Sequence, residues 1–161
     1  MDLSKAVQLA IVFSGVFLWI GMLTGVWKYW QIRRSALSRA HYYVDIAHRS
    51  SLLYAAATLI LAVLSYYTVL NENIALLCVF ANILFFSLSI LVYIIHGYLQ
   101  DTTNQFKRPH KLGRFSLPSW LMSLMMLGLI VTELVATAIL VIGTIFFIFR
   151  YVKMDDRSSI F

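Results

Sequence analysis

Charge and cysteine are what this 161-residue chain has least of, and each shortage excludes something. Only 12% of the residues are Asp, Glu, Lys or Arg. The one cysteine, Cys78, stands inside an apolar run, so there is no disulfide framework and no CxxC metal site, and a buried thiol is expected. No GxSxG, Walker A or HExxH stretch occurs, and no pair of carboxylates stands at glycosidase spacing. Internal repeats, low-complexity segments and the interrupted hydrophobic helices of many transporters are missing as well.

What fills the chain instead is apolar surface. Hydrophobic residues make up 61% of it, and the mean hydropathy is +0.81. A soluble domain of this length leaves most of its residues near the surface and could not hide so much, so the sequence reads as an integral membrane protein. The net charge of +6 and pI near 9.6 do not point to nucleic acid, because the bases flank hydrophobic runs and no soluble domain presents them to a phosphate backbone. They are topology signals, and the lipid bilayer is the first partner implied.

The fold class expected is all-α, a single transmembrane domain over 1–161 with helices at about 6–30, 41–70, 74–99 and 117–149. The first run is too long for the apolar core of a signal peptide and no small-residue cleavage site follows it. Gly21 and Gly25 form a small-xxx-small pair suited to close helix packing. Trp27, Tyr29 and Trp30 mark an interface. The loop 71–73 has turn chemistry, and 101–116 is a polar, basic loop broken by Pro109 and Gly113. Leu117 to Phe149 is about 33 residues, or about 50 Å of helix, which predicts a tilted span that overhangs the membrane. The tail from Arg150 is expected to fray. Nine bases (Lys28, Arg33, Arg34, Arg39, Arg49, Lys107, Arg108, Lys111, Arg114) fall on one side and four (Lys5, Arg150, Lys153, Arg157) on the other. That asymmetry places the two longer loops in the cytoplasm and both termini outside.

Chemistry concentrates at the start of the second helix. His41, Asp45 and His48 stand at i, i+4 and i+7, one helical face, which makes them a candidate cofactor-binding set with His48 or His41 as metal ligand. The third helix should bring His96 back to the same side, with Asp101 and His110 nearby. Asn82, Ser89, Tyr93 and His96 form a polar stripe expected to look into the bundle or across a subunit contact, and Ser51, Ala55, Thr58, Ala62 and Ser65 a small-residue face. Tyr54, two turns beyond His48, joins Tyr93 and His96 as a candidate catalytic group able to hydrogen-bond a ligand or move a proton. Glu133, near the middle of the last span, is expected neutral and hydrogen-bonded to Asn82, Thr58, Ser65 or Ser87.

The stretch GVFLWIGMLTG at Gly15 to Gly25, followed by Ala-His at Ala40-His41 and Ala47-His48, resembles the small four-helix membrane isomerases typified by hydroxylaminobenzene mutase and styrene oxide isomerase. The resemblance covers roughly the first 60 residues and the plan of four spans. It implies a histidine ligand to a ferric haem b held between subunits, the iron acting as Lewis acid on an epoxide oxygen. Spacing from Gly25 favours His41 as the counterpart, and position at the mouth of a clear apolar helix favours His48. The family tends to have Asn six residues after that histidine; here Ala47 and Tyr54 stand at those places, so the substrate stays open.

The leading expectation is therefore a membrane-embedded isomerase of a small apolar, oxygen-containing substrate, homo-oligomeric, with haem b or another metal as Lewis acid. The alternatives are a b-type haem electron carrier ligated by His48 and His96, and a cofactor-free subunit of a larger membrane complex.

Overall fold

The computed structural model describes residues 3–108, 110–113 and 115–158. It is an all-α bundle of four helices: α1 (Lys5–Arg34), α2 (Tyr42–Tyr66), α3 (Glu72–Leu99) and α4 (Ser119–Ser158). Between α3 and α4 the polar loop folds partly into a hairpin of β1 (His110–Leu112) and β2 (Phe115–Leu117), antiparallel with His110 opposite Leu117. All four helices are long and apolar enough to cross a bilayer, the architecture of a multi-pass membrane protein. Large apolar side chains such as Trp19, Val26, Leu53, Leu77, Leu134 and Phe149 are exposed on the outside, the side that lipid covers.

The helix starts are set by polar caps. Ser4 accepts from the Val7 N–H, and Asn71 from the Asn73 N–H at 2.9 Å. His41 has extended backbone angles and caps α2, its Nδ1 accepting from the Tyr43 N–H. It stands just outside the helix. At the other end of α1, Arg33 and Arg34 occupy the last turn, where the dipole favours cations, and Arg34 lies over the Trp30 ring at 3.8 Å. Nothing in 144–158 breaks the last helix, and it continues to Ser158, past Arg150 where fraying was expected to begin. Its 40 residues measure about 60 Å, twice the hydrocarbon thickness.

Helices α1 and α2 pack closest. A Cβ on Gly21 would lie 2.6 Å from Leu52 Cδ2, and one on Gly25 would lie 2.9 Å from His48 Cε1, so the two glycines are what let α2 approach. Ser14 crosses the contact to the Ala55 carbonyl at 2.9 Å. The small-residue face of α2 is buried throughout, and its Ser51 and Thr58 hydroxyls satisfy themselves on carbonyls of their own helix. Phe17, Val79, Ile83, Phe86 and Leu140 fill the centre. In contrast, only 11% of the apolar window of α4 is buried, against 39% for α3. That looseness leaves room beside α3 for a cavity.

Candidate functional site

One end of the bundle carries both the α1–α2 loop and the α3–α4 loop, tied together where the Gln105 N–H donates to the Tyr43 hydroxyl at 2.6 Å. The opposite end carries the N-terminus, where the Lys5 N–H meets Glu72 at 3.0 Å.

At the two-loop end α3 finishes on His96, buried in the last turn, and Gln100 caps it in the left-handed region at φ 49°. That turn folds the chain back so that Asp101 faces His96, with Nδ1 and Oδ1 2.8 Å apart. A carboxylate only accepts, so Nδ1 carries the proton and Nε2 is left as the ring's free nitrogen. The second carboxylate oxygen accepts from the Gly113 N–H at 2.6 Å, and Gly113 reaches it from a hairpin turn at φ +60°, a conformation glycine adopts without strain. Burial opposes the charge on Asp101, but the Gly113 N–H and the His96 ring outweigh it and hold the carboxyl below the usual carboxylate range. Both side chains are nearly buried, at 4% and 9% exposure. Tyr43 packs on His96 with ring centres 5.0 Å apart and stacks on Tyr93 at 6.1 Å.

This pair separates two spaces. On the outer side a polar pocket of about 460 Å³ is bordered by His41, Asp101, Gln105, Lys107 and Arg108. On the inner side an apolar cavity of about 320 Å³ runs between α3 and α4, bordered by His96, Tyr93 and Ser89 on α3 and by Met122, Met125 and Leu129 on α4. Gln105 borders both. A buried imidazole held by a carboxylate, with water access behind it and an apolar chamber before it, can take a proton from a bound molecule and return it.

The His41, Asp45, His48 face does not converge. Asp45 is bound by Lys28 at 2.6 Å and Arg49 at 2.5 Å. His41 caps the helix, and burial pushes its pKa down, with Asp101 pulling the other way. His48 turns to α1, where its Nδ1 donates to the Gly21 carbonyl at 2.8 Å. His48 and His96 are thus bonded to groups on different sides of α2, and the level of His96 is that of Val44, which nearly touches Gly97. His48 lies about 6 Å further along the helix. Tyr54 stacks on Phe86 at 4.2 Å and hydrogen-bonds Ser89. His110 is buried in β1, donating to the Gln105 carbonyl at 3.0 Å. Among the described residues no group of three His, Cys, Asp or Glu stands close enough to hold a metal ion.

Glu133 lies within electrostatic reach of Tyr54 and Tyr93 but gains none of the expected partners: its Oε1 is buried without a hydrogen bond. Thr58 and Ser87 have bonded to their own helices, and Asn82 is engaged by Cys78 and Thr137. Two contributors are new at the structural level. Tyr43 and Gln105 carry no motif, and only the acid five residues after a helix-ending histidine hinted that the site gathers there.

A scan against protein-family models, a search of the curated proteins and a search of the solved structures each find no match.

Proposed function

We propose that the protein is a membrane-embedded isomerase that moves a proton within a small apolar, oxygen-containing molecule bound between α3 and α4. The observation that carries this reading is the buried His96–Asp101 pair on the wall of an apolar cavity. His96 Nε2 takes a proton from one atom of the substrate, Asp101 holds the ring in one tautomer and faces the charge it acquires, and the same nitrogen returns the proton to another atom. Nothing is oxidised or reduced, and the product is an isomer. Tyr93 borders the cavity beside the base and can hydrogen-bond the substrate oxygen. Incubating the purified protein with a panel of apolar alcohols, epoxides and carbonyl compounds in D2O should yield isomers carrying solvent deuterium, and His96→Ala should slow their formation at least ~100-fold. Products at a different oxidation level, or wild-type rates in His96→Ala, would overturn the proposal.

A second reading of the same reaction class rests on His48. Its Nδ1–H is fixed on a backbone carbonyl, which leaves Nε2 as a lone ligand nitrogen, the arrangement usual for a metal-bound imidazole. A haem brings four nitrogens of its own and needs one such ligand, so this residue fits it; when bound, the iron would supply Lewis acidity. Neither cavity described above is bordered by His48, so this ligand would serve a site outside both of them. An absorption spectrum of the detergent-purified protein tests it: a Soret band lost in His48→Ala and kept in His96→Ala supports the reading, and no band after native extraction removes it.

The same proposal places the two-loop end in the cytoplasm, on the strength of the base asymmetry. With Cys78 replaced, single cysteines at Ser35 and Asn73 should label from the inside and the outside of intact cells respectively; the reverse pattern would invert the topology.

A further inference from the structure

The loop that follows α3 is built around Asn104. Its carbonyl accepts from the Lys107 N–H at 3.1 Å and from the Thr102 hydroxyl at 3.0 Å, and its Oδ1 accepts from the Phe106 N–H at 2.9 Å. Gln105 is pinned to α2 and β1, its N–H donating to the Tyr43 hydroxyl and its carbonyl accepting from His110 Nδ1. Lys107 and Arg108 thus leave a fixed loop, and together with His41 they border the polar pocket of about 460 Å³. Among the described residues neither base is paired with a carboxylate. His41 adds a donor, because its Nδ1 accepts from the Tyr43 N–H and the ring's proton is therefore on Nε2. The acid on this wall, Asp101, has its oxygens engaged by His96 and by the Gly113 N–H. Two unpaired cations and an imidazole N–H on one wall call for an anion.

The depth of the pocket says where such an anion comes from. Helix α3 has 28 residues, about 42 Å at 1.5 Å per residue, which matches the ~40–45 Å of a bilayer counted with its headgroups. Gln100, the first residue past that span, borders the pocket. Tyr42 beside His41, Tyr98 in the last turn of α3 and Phe106 beside Lys107 are all exposed, as aromatic side chains of the headgroup zone are. We propose that this pocket binds the phosphate monoester headgroup of an anionic lipid, with Lys107, Arg108 and His41 Nε2–H as its donors. A monoester brings up to two charges and three terminal oxygens to these three donors, whereas the diester of an ordinary phospholipid brings one charge and two such oxygens. The site is distinct from the apolar cavity, and the proposal does not depend on the isomerase reading.

Native mass spectrometry of the full chain in detergent, with dioleoyl phosphatidic acid, phosphatidylglycerol or phosphatidylcholine added, compares headgroups on identical acyl chains. The wild type should bind phosphatidic acid at least about tenfold tighter than the other two. Lys107→Gln with Arg108→Gln should bring the three lipids within about twofold of one another. Arg33→Gln with Arg34→Gln, which removes as much charge from the same end of the bundle, should keep the preference. Inorganic phosphate in about tenfold excess over the lipid should leave the lipid bound. In nitrogen NMR of the histidine-labelled wild type, short-chain phosphatidic acid should shift the His41 Nε2 signal. Equal binding of the three lipids by the wild type, or a preference that survives the loss of both pocket bases, overturns the proposal. So does a preference lost in the Arg33, Arg34 variant, which would show general attraction to a basic surface. Displacement by inorganic phosphate would make the ligand a free anion and overturn the lipid assignment, and an unmoved His41 signal would put the lipid outside the pocket. Each of these failures leaves the isomerase proposal standing.

Discussion

His48 and His96 are held by opposite kinds of partner. His48 donates to a neutral backbone carbonyl, in the narrow contact that Gly21 and Gly25 open between α1 and α2. His96 donates to a carboxylate and stands at the looser contact between α3 and α4, where a cavity opens. A carbonyl fixes the tautomer and adds no charge, which suits a ligand or a structural post. A carboxylate fixes the tautomer and also faces the positive charge formed when the ring takes a proton, which suits a base. Close packing and open space fall in different halves of one small bundle, because a contact tight enough to exclude a Cβ has no room for a bound molecule.

Substitutions at four positions sharpen or break that contrast. The largest effect is expected at Glu133, in the loose half. Glu133→Lys places a fixed charge near mid-membrane with no partner and should cost about 3 kcal/mol, enough to lose the folded protein from detergent extracts. Glu133→Gln, which gives up no hydrogen bond at Oε1, should melt close to the wild type; equal loss in both variants would mean that the carboxylate itself is needed.

In the tight half, Gly25→Val should cost about 2 kcal/mol, since its Cβ alone would fall 2.9 Å from the His48 ring and α1 would have to back away. Thermal melting in detergent measures it. A silent Gly25→Val would remove the packing side of the comparison.

Asp101 gives a pH test with a definite sign. Its carboxyl sits below the usual range in the folded protein, so its contribution is complete above about pH 4, its unfolded range, and is lost as the pH falls through the lower folded value. Wild-type melting temperature should drop below that point, and Asp101→Asn should melt lower at neutral pH by about 1–2 kcal/mol and show a flatter acid limb. Parallel acid limbs would mean that Asp101 is not held as described. The smallest effect belongs to Arg49→Ala: Arg49 is largely exposed, and Asp45 keeps Lys28, so a change under about 1 kcal/mol is expected in the same assay.

Four spans, their antiparallel order and the inward face of α2 were legible because apolar run length, turn residues and small-residue spacing act locally. The same reasoning brought His96, Asp101 and His110 to one end. It misjudged the His41, Asp45, His48 face, because the period of a helix says which residues share a side and not where the helix begins: with α2 starting at Tyr42, His41 became a cap, and the bases Lys28 and Arg49 claimed Asp45. The joining of His96 to Asp101 depends on a left-handed Gln100 and on Gly113 arriving from a hairpin twelve residues away, and neither has a periodicity to read. Gln105 was invisible for the same reason, since its place is fixed by Tyr43 and His110 from two other segments.

The division between the two histidines is tested most directly by nitrogen NMR of the histidine-labelled full chain in detergent, with and without n-octanol. The expected result is a protonated Nδ1 and a bare Nε2 on both His48 and His96, with n-octanol shifting the Nε2 signal of His96 alone and Asp101→Asn disturbing only the His96 tautomer. If the alcohol instead moves His48 and leaves His96 unchanged, or if His96 carries its proton on Nε2, the placing of proton chemistry between α3 and α4 is contradicted.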